Sequence, residues 1–173
     1  MFAVLRFSRF VRITCLAGVV AMVALTGAVR AENKLGGHFG FVIPLVNHVN
    51  GDTTTVADDF VVGFPMGITV KKTDKVAFDM EFVPVIQNDP LKVNLTLHPG
   101  VIWALPHRFA AGLRMAFDVK DSSWGFTPLL NRSFPLSDGT AFFTEFVLPI
   151  RIQDIKGDNK GSIGFGIHFG VGF

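Results

Sequence analysis

Apolar and polar residues alternate with a period of two along most of the chain after residue 31. This period is typical of strands, because successive side chains of a strand point to opposite faces. Eight such stretches run from Leu35 to Leu45, Phe60 to Val70, Val76 to Phe82, Val93 to Trp103, Phe109 to Val119, Trp124 to Leu130, Phe142 to Ile152 and Ile163 to Phe173. The pattern therefore predicts an all-β fold of eight strands.

The two faces of these strands differ in an unusual way. Of the 16 Phe residues after residue 31, 14 fall on the apolar face, and only Phe134 and Phe143 do not. The opposite face carries mainly Gly and Ala with a few charges of both signs, whereas a secreted soluble β-domain, the alternative, exposes many Lys and Glu residues. Bulky apolar residues on one face and small residues on the other favour a sheet with lipid outside and a narrow lumen inside.

A sheet in lipid must leave no free edge, because lipid offers no hydrogen-bonding partner for one. Each stretch has about the length that a tilted strand needs to cross a bilayer. We therefore expect residues 32–173 to form a closed antiparallel eight-stranded transmembrane β-barrel with both termini on the periplasmic side. The expected external loops are Asn47–Asp59, Gln87–Leu91, Lys120–Ser123 and Asp154–Gly161, and the expected periplasmic turns are Lys71–Lys75, Leu105–His107 and Ser133–Thr140.

Residues 1–31 have the pattern of a cleavable export signal. Arg6, Arg9 and Arg12 precede an uncharged run that ends at Val29, and Val29 and Ala31 occupy the −3 and −1 positions of a cleavage site. A membrane anchor is the alternative, but the run is short for a spanning helix and a cleavage-like site follows it. We expect a signal peptide over residues 1–31.

The charge and the cysteine content of the chain change once this segment is removed. The whole chain is 49% hydrophobic and 17% charged, with a mean hydropathy of +0.44, which excludes a disordered protein. Cleavage removes four of the 16 basic residues and none of the 14 acidic ones, so the mature chain carries a formal charge of −2. That charge gives no support for nucleic-acid binding. The single cysteine, Cys15, is lost too, so disulfides and thiol catalysis are excluded.

The C-terminal stretch carries a family resemblance. Apolar residues alternate with small or polar ones up to a terminal aromatic residue: Phe165, Ile167, Phe169, Val171 and Phe173. This ending resembles the assembly signal of bacterial outer-membrane barrel proteins, and the mature chain resembles their small eight-stranded class, such as the OmpA-type transmembrane domain. The resemblance implies the outer membrane of a Gram-negative bacterium, contact with its lipid and lipopolysaccharide, and recognition by the barrel-assembly machinery. We expect a monomer without a cofactor.

Charged residues on the lumen face are the candidates for chemistry. Glu81, Arg114 and Glu145 lie at similar heights on three strands, so we expect a charge-assisted cluster across the lumen. Asp79 lies below Glu81, and Asp118 and Arg151 would form a second layer nearer the outside. Two interpretations stay open. Buried charges pair because isolated burial is costly, or the pairs act as a gate whose exchange opens a narrow water path.

Three histidines share the lumen face: His38, His98 and His168. His38 and His168 lie on strands that become neighbours when the barrel closes, but we expect them at different heights. No spacing resembles a metal-ligand motif, so we expect hydrogen-bonded histidines and no metal site. The acidic external loops, for example Asp52, Asp58 and Asp59, are interpreted as solvated, although cations near lipopolysaccharide would also suit them.

Proline is frequent inside the predicted strands, where it removes a donor that lipid cannot replace. Pro128 and Pro149 lie on the adjacent sixth and seventh strands, which predicts weakened pairing and a lateral opening for an apolar ligand or lipid. This feature resembles the outer-membrane lipid A palmitoyltransferase. His48, Asp121 and either Ser122 or Ser123 supply residue types of that enzyme at the external end. The helix that precedes its first strand has no room here between Glu32 and Leu35.

The sequence thus favours an integral outer-membrane β-barrel with a structural or narrow-pore role, no catalytic residues and no enzymatic activity. Two alternatives remain. One is a barrel that binds an apolar ligand or lipid through the lateral opening, and the other is a lipid A-modifying enzyme.

Overall fold

The computed structural model describes residues 34–88, 90–120, 123–155 and 158–173, with side chains omitted at 34 and 154–159. The expected signal peptide over residues 1–31, Asp89, Asp121 and Ser122 lie outside the described residues. Within the described ranges, no helix is long and apolar enough to cross a membrane.

Strands make up most of the described chain, which confirms the all-β fold that the alternation predicts. They are β1 (Lys34–Val49), β2 (Asp52–Thr55), β3 (Val61–Gly63), β4 (Met66–Lys71), β5 (Val76–Gln87), β6 (Lys92–Ala104), β7 (Phe109–Asp118), β8 (Ser123–Ser137), β9 (Thr140–Val147), β10 (Ile150–Ile155) and β11 (Asp158–Gly172). A 3-10 turn, Pro106–Arg108, joins β6 to β7.

All strand pairs are antiparallel, and β1 pairs with β11, so the two ends of the sheet meet. One strand position beside β1 is divided into β2, β3 and β4, and one position between β8 and β11 is divided into β9 and β10. When each split strand is counted once, the strands occupy eight positions. They correspond to the eight alternating stretches of the sequence.

The break between β3 and β4 coincides with Pro65, which has no N–H to give to the ladder. The neighbouring groups still find partners, because the Pro65 carbonyl accepts from Gly40 N–H at 3.0 Å and Phe64 N–H donates to the Pro84 carbonyl at 2.8 Å. Pro65 is fully buried. The alternation of apolar and polar residues therefore continues through Pro65, although the regular ladder of hydrogen bonds is interrupted there.

The predicted first external loop, Asn47–Asp59, contains a strand. β2 pairs with the end of β1, from Val46 opposite Thr55 to Val49 opposite Asp52. Asn50 and Gly51 form the two-residue turn, and both have positive φ, 53° and 93°. Asn-Gly is the preferred sequence for this hairpin turn, so local turn chemistry extends the sheet into the loop.

Large apolar side chains are exposed on the outer face. They include Leu35, Phe39, Phe60, Met66, Ile68, Val93, Trp103, Leu113, Trp124, Leu130, Phe146 and Ile163, each 43% to 75% exposed. Phe134 belongs with them, contrary to the prediction, because β8 continues to Ser137 and turns the Phe134 ring outward against Phe142. Phe143 is buried on the inner face. The interior is therefore more polar than the surface.

Candidate functional site

Charged and imidazole side chains meet in the interior of the sheet. Three carboxylates, one guanidinium and three histidines from six strands take part: Asp79 and Glu81 on β5, Arg114 on β7, Glu145 on β9, and His38, His98 and His168 on β1, β6 and β11. The four charged residues and His168 are each 3% exposed or less. We call this group the interior cluster.

Arg114 connects the carboxylates of the interior cluster. Its Nε donates to Asp79 Oδ2 at 2.9 Å, and one terminal nitrogen donates to Glu145 Oε1 at 2.8 Å. The same nitrogen lies 3.6 Å from Glu81 Oε1. Gly100 lies opposite Arg114 in the ladder, where a larger residue would meet the arginine side chain. The missing side chain at Gly100 thus makes room for the guanidinium.

Each histidine lies against a glutamate of the cluster. His38 Nε2 is 3.0 Å from Glu81 Oε1, and His98 Nδ1 is 2.9 Å from Glu81 Oε2. His168 Nδ1 is 3.0 Å from Glu145 Oε1. The sequence places these residues on the inner face but does not reveal these partners.

The protonation of His98 follows from its second neighbour. Arg151 donates to His98 Nε2 at 3.2 Å, and because an arginine has no acceptor, that nitrogen must accept. The proton of the ring is therefore on Nδ1, where it is donated to Glu81. His98 is a neutral histidine that connects Arg151 to the cluster.

His38 and His168 lie close together, although their positions along the strands differ in height, as expected. Their ring centroids are 5.8 Å apart. In the ladder His38 faces Gly172 and His168 faces Val42, so four residues separate their positions along the strands. Gly40 and Gly170 pair between them. Two long side chains can lean toward each other there because the intervening inner positions carry no side chain.

Asp118 and Arg151 form the expected second layer. Their hydrogen bonds go to hydroxyl, carbonyl and imidazole groups and not to each other. The Thr96 hydroxyl donates to Asp118 Oδ1. Arg151 donates to Thr127 Oγ1 at 3.0 Å and to the Phe126 carbonyl at 2.9 Å, besides its contact with His98. Arg151 thus belongs to the same network as the cluster, through an imidazole rather than through a carboxylate.

The strands remain paired around Pro128 and Pro149, the expected lateral opening. Leu129 lies opposite Val147 on one side, and Phe126 lies opposite Ile150 on the other. Leu148 N–H donates to the Pro128 carbonyl at 3.0 Å, and Gly164 N–H donates to the Pro149 carbonyl at 2.8 Å. The carbonyl groups of both prolines thus have partners, but the regular ladder is interrupted between the end of β9 at Val147 and the start of β10 at Ile150. The lateral opening stays a prediction.

At the end of the sheet that we expect to face outward, the residues that resemble those of a lipid-modifying enzyme lie in different environments. His48 is exposed, and its Nδ1 is 2.9 Å from Thr53 Oγ1 within the first hairpin. Ser123 is buried, and its hydroxyl has no hydrogen-bond partner. Asp121 and Ser122 are not among the described residues.

Two carboxylates of the expected first external loop accept hydrogen bonds from nearby residues. Asp58 accepts two hydrogen bonds of 2.8 Å from the N–H and the hydroxyl of Thr55, and these bonds lower the pKa of its carboxyl group. Asp59 accepts from Gln87 at 2.8 Å. Both carboxylates therefore support the turn that follows β2.

The expected assembly-signal residues extend along β11 to the end of the chain: Phe165, Ile167, Phe169, Val171 and Phe173. β11 pairs with β1 on one side and with β9 on the other. Phe173 exchanges two backbone hydrogen bonds with Gly37, of 2.8 and 2.9 Å, while its side chain is 69% exposed. The terminal backbone is thus fixed in the sheet, and the terminal ring lies beside Gly37 and is mostly exposed.

Three side chains that are distant in sequence bring possible metal ligands together. One ligand atom each from His38, Glu81 and His168 lie within 4.8 Å of one another. No spacing motif joins these positions, so sequence reasoning missed the group. The pairing of β1 with β11 places two of the three on neighbouring strands.

No protein-family model matches the chain, and no curated protein matches it. The solved structures that are similar to it in fold include the following three. The outer membrane protein AlkL, studied in DMPC lipid bilayers, is 10% identical over 86% of this chain and 92% of its own, with a TM-score of 0.48. The outer membrane protein OprG from Pseudomonas aeruginosa is 12% identical over 80% and 93%, with a TM-score of 0.43.

The third is Ail, the attachment invasion locus protein of Yersinia pestis, solved in complex with the heparin analogue sucrose octasulfate. It is 9% identical over 83% of this chain and 100% of its own, with a TM-score of 0.47. At such identities and TM-scores, no residue role is carried over from these proteins to this chain.

Proposed function

We propose that the protein is an integral outer-membrane protein of a Gram-negative bacterium, exported by a signal peptide over residues 1–31. Residues 32–173 form a closed eight-stranded transmembrane β-barrel with a structural role. The interior cluster fills its lumen at one level. The protein has no enzymatic activity.

The observation that carries the proposal is the distribution of polarity. The outer face exposes large apolar residues such as Phe39, Ile68 and Phe146, each 48% to 53% exposed, while Asp79, Arg114 and Glu145 are almost completely buried. In water this arrangement would expose apolar area and bury charge at a large cost. In a bilayer the same outer face contacts lipid chains, so its exposure has no such cost. The polar groups form hydrogen bonds with one another inside the barrel.

Cell fractionation tests the membrane assignment. The expressed full-length chain should be processed and recovered in the outer-membrane fraction after a urea wash, and should show heat-modifiable mobility on a gel. A protein that fractionates with the soluble periplasm and shows a single mobility would contradict the proposal.

A narrow pore is the second candidate, and one observation favours it. Arg114 has three carboxylates within 3.6 Å, those of Asp79, Glu81 and Glu145. A guanidinium with more acceptors than it engages at once can exchange partners, which would open a water path beside it.

Planar-bilayer recordings separate the two roles. A structural barrel closed by the cluster conducts no current, whereas a pore gives small single-channel currents that change in Arg114→Ala. Arg132→Ala is the matched control, because Arg132 lies on the outer face over the rings of Phe109 and Phe134. Currents altered by the first variant and unaffected by the second would establish the pore, and silence in all three proteins would exclude it.

A further inference from the structure

The interior cluster has an excess of negative charge. Asp79, Glu81 and Glu145 contribute three carboxylates, and Arg114 contributes one guanidinium. His98 is neutral, as its contact with Arg151 requires. With the histidines counted as neutral, a formal charge of −2 remains in a buried site, and uncompensated buried charge is costly.

His168 is the most enclosed of the three candidate ligands. It is 1% exposed, and its ring packs against the Phe143 ring at 4.9 Å between centroids. Its Nδ1 is 3.0 Å from Glu145 Oε1 and 3.8 Å from Glu81 Oε1. A cation beside Glu81 would therefore meet this nitrogen and would replace its contact with Glu145.

The three candidate ligand atoms lie close enough together for one small cation to reach all of them. His38 Nε2 is 3.0 Å from Glu81 Oε1, His168 Nδ1 is 3.8 Å from the same oxygen, and all three atoms lie within 4.8 Å of one another. Zinc binds nitrogen and carboxylate oxygen at about 2.0 to 2.2 Å, which places tetrahedral ligands about 3.3 Å apart. Zinc binding would therefore draw the His168 side chain closer to Glu81.

The groups behind the ligands are also those of a metal site. The other nitrogen of His38 faces Asp79 Oδ1 at 3.7 Å, and Asp79 is itself held by the Thr69 hydroxyl at 2.7 Å and by Arg114. The other oxygen of Glu81 accepts from His98. Carboxylates and hydrogen-bond donors in these positions orient ligands and are a regular part of protein metal sites.

We propose that His38, Glu81 and His168 bind one divalent transition-metal cation in the interior, and that zinc is the cation that suits them. Two imidazoles and one carboxylate are a zinc donor set that leaves a fourth position open. The cation would neutralise the formal charge of the cluster. It would also join β1, β5 and β11, and so hold together the seam where the first and last strands meet.

Entry to the site is on the side of His38, whose side chain is 10% exposed, compared with 2% and 3% for those of His168 and Glu81. Arg114 gives up its 3.6 Å contact with Glu81 and keeps its shorter contacts with Asp79 and Glu145. Metal binding does not require that the protein conducts ions.

Metal binding is tested on the purified, folded full-length product in detergent micelles. After dialysis against zinc, elemental analysis should find one zinc per protein, and cobalt should give the intense visible absorption of a four-coordinate site. His38→Gln and His168→Gln should each weaken zinc binding at least tenfold. The heat-modifiable mobility of each variant shows whether it is folded, so a loss of metal is separated from a loss of structure.

His48→Ala is the matched control, because His48 is an exposed histidine of the first hairpin outside the cluster. It should bind zinc as the unchanged protein does. Folded protein that retains no zinc, or zinc that is lost in His48→Ala and kept in His38→Gln, would overturn the proposal. The zinc content is measured on folded protein in micelles, so it is independent of the currents and of the cell fraction in which the protein is recovered.

Discussion

At the scale of single residues, Arg114 has the largest electrostatic effect on the interior. It contacts Asp79, Glu81 and Glu145, all of which are buried. A buried ion pair contributes little net stability compared with an apolar pair, but removal of one partner leaves an uncompensated charge. The effect of a substitution at Arg114 is therefore dominated by the carboxylates that stay behind.

We predict that Arg114→Ala lowers the free energy of unfolding by about 3 to 5 kcal/mol, because breaking a buried pair has that cost. Urea unfolding of the protein in lipid vesicles measures this change. Arg132→Ala, which removes only an exposed cation from two phenylalanine rings, should cost about 1 kcal/mol or less. Equal losses in the two variants would contradict the assigned role of Arg114.

Alternation predicts which face a residue occupies but not its height or its partner. It therefore places Glu81, Arg114 and Glu145 on one inner face, whereas the contact between His38 and His168 depends on the stagger of β1 against β11. Such partners emerge only from the register of the strands.

At the scale of elements, the seam between β1 and β11 depends on glycine. Gly40 and Gly170 lie opposite each other, and a Cβ added at either would meet a backbone carbonyl, that of Phe169 or that of Phe39. Backbone atoms cannot move aside as a flexible side chain can. The close approach of these two strands therefore requires glycine at both positions.

We predict that Gly170→Ala destabilises the folded protein by about 1 to 3 kcal/mol, the usual cost of overpacking. The folded fraction on heat-modifiable gels across a urea series measures the loss. Gly161→Ala is the control, because nothing lies within 4 Å of the Cβ that it would add on the same strand. A Gly170 variant as stable as the Gly161 variant would show that the seam tolerates a side chain.

The interrupted strands show the limit of the pattern at this scale. Residues around Pro65 and Pro149 keep their alternation, and yet the strands divide into β3 and β4 and into β9 and β10. Alternation depends on the direction of the side chains, whereas a ladder depends on backbone N–H donors. A proline therefore interrupts the ladder and leaves the alternation unchanged.

At the scale of the whole molecule, the last residue allows an effect on assembly to be measured apart from an effect on stability. The backbone of Phe173 is paired with Gly37, but its ring is mostly exposed. If the barrel-assembly machinery recognises this ring, loss of the ring affects assembly in the cell and not the stability of the folded protein.

We predict that Phe173→Ala lowers the amount of assembled protein in the outer membrane several-fold, while the free energy of unfolding of the refolded protein changes by about 1 kcal/mol or less, as is usual for surface positions. Quantitative fractionation and urea unfolding in vesicles measure the two effects. Phe134→Ala is the control, an outer-face phenylalanine outside the final strand. A stability loss as large as the assembly loss would assign Phe173 a structural role instead.

The sequence by itself determined the all-β fold, the positions of the strands and the face of nearly every large residue, because these follow from local side-chain periodicity. Only the tertiary structure decided that β2 lengthens the first hairpin, that Phe134 turns outward, and that Arg151 contacts an imidazole. Only it brought His38, Glu81 and His168 together, because the pairing of the first strand with the last joins residues that no local pattern connects.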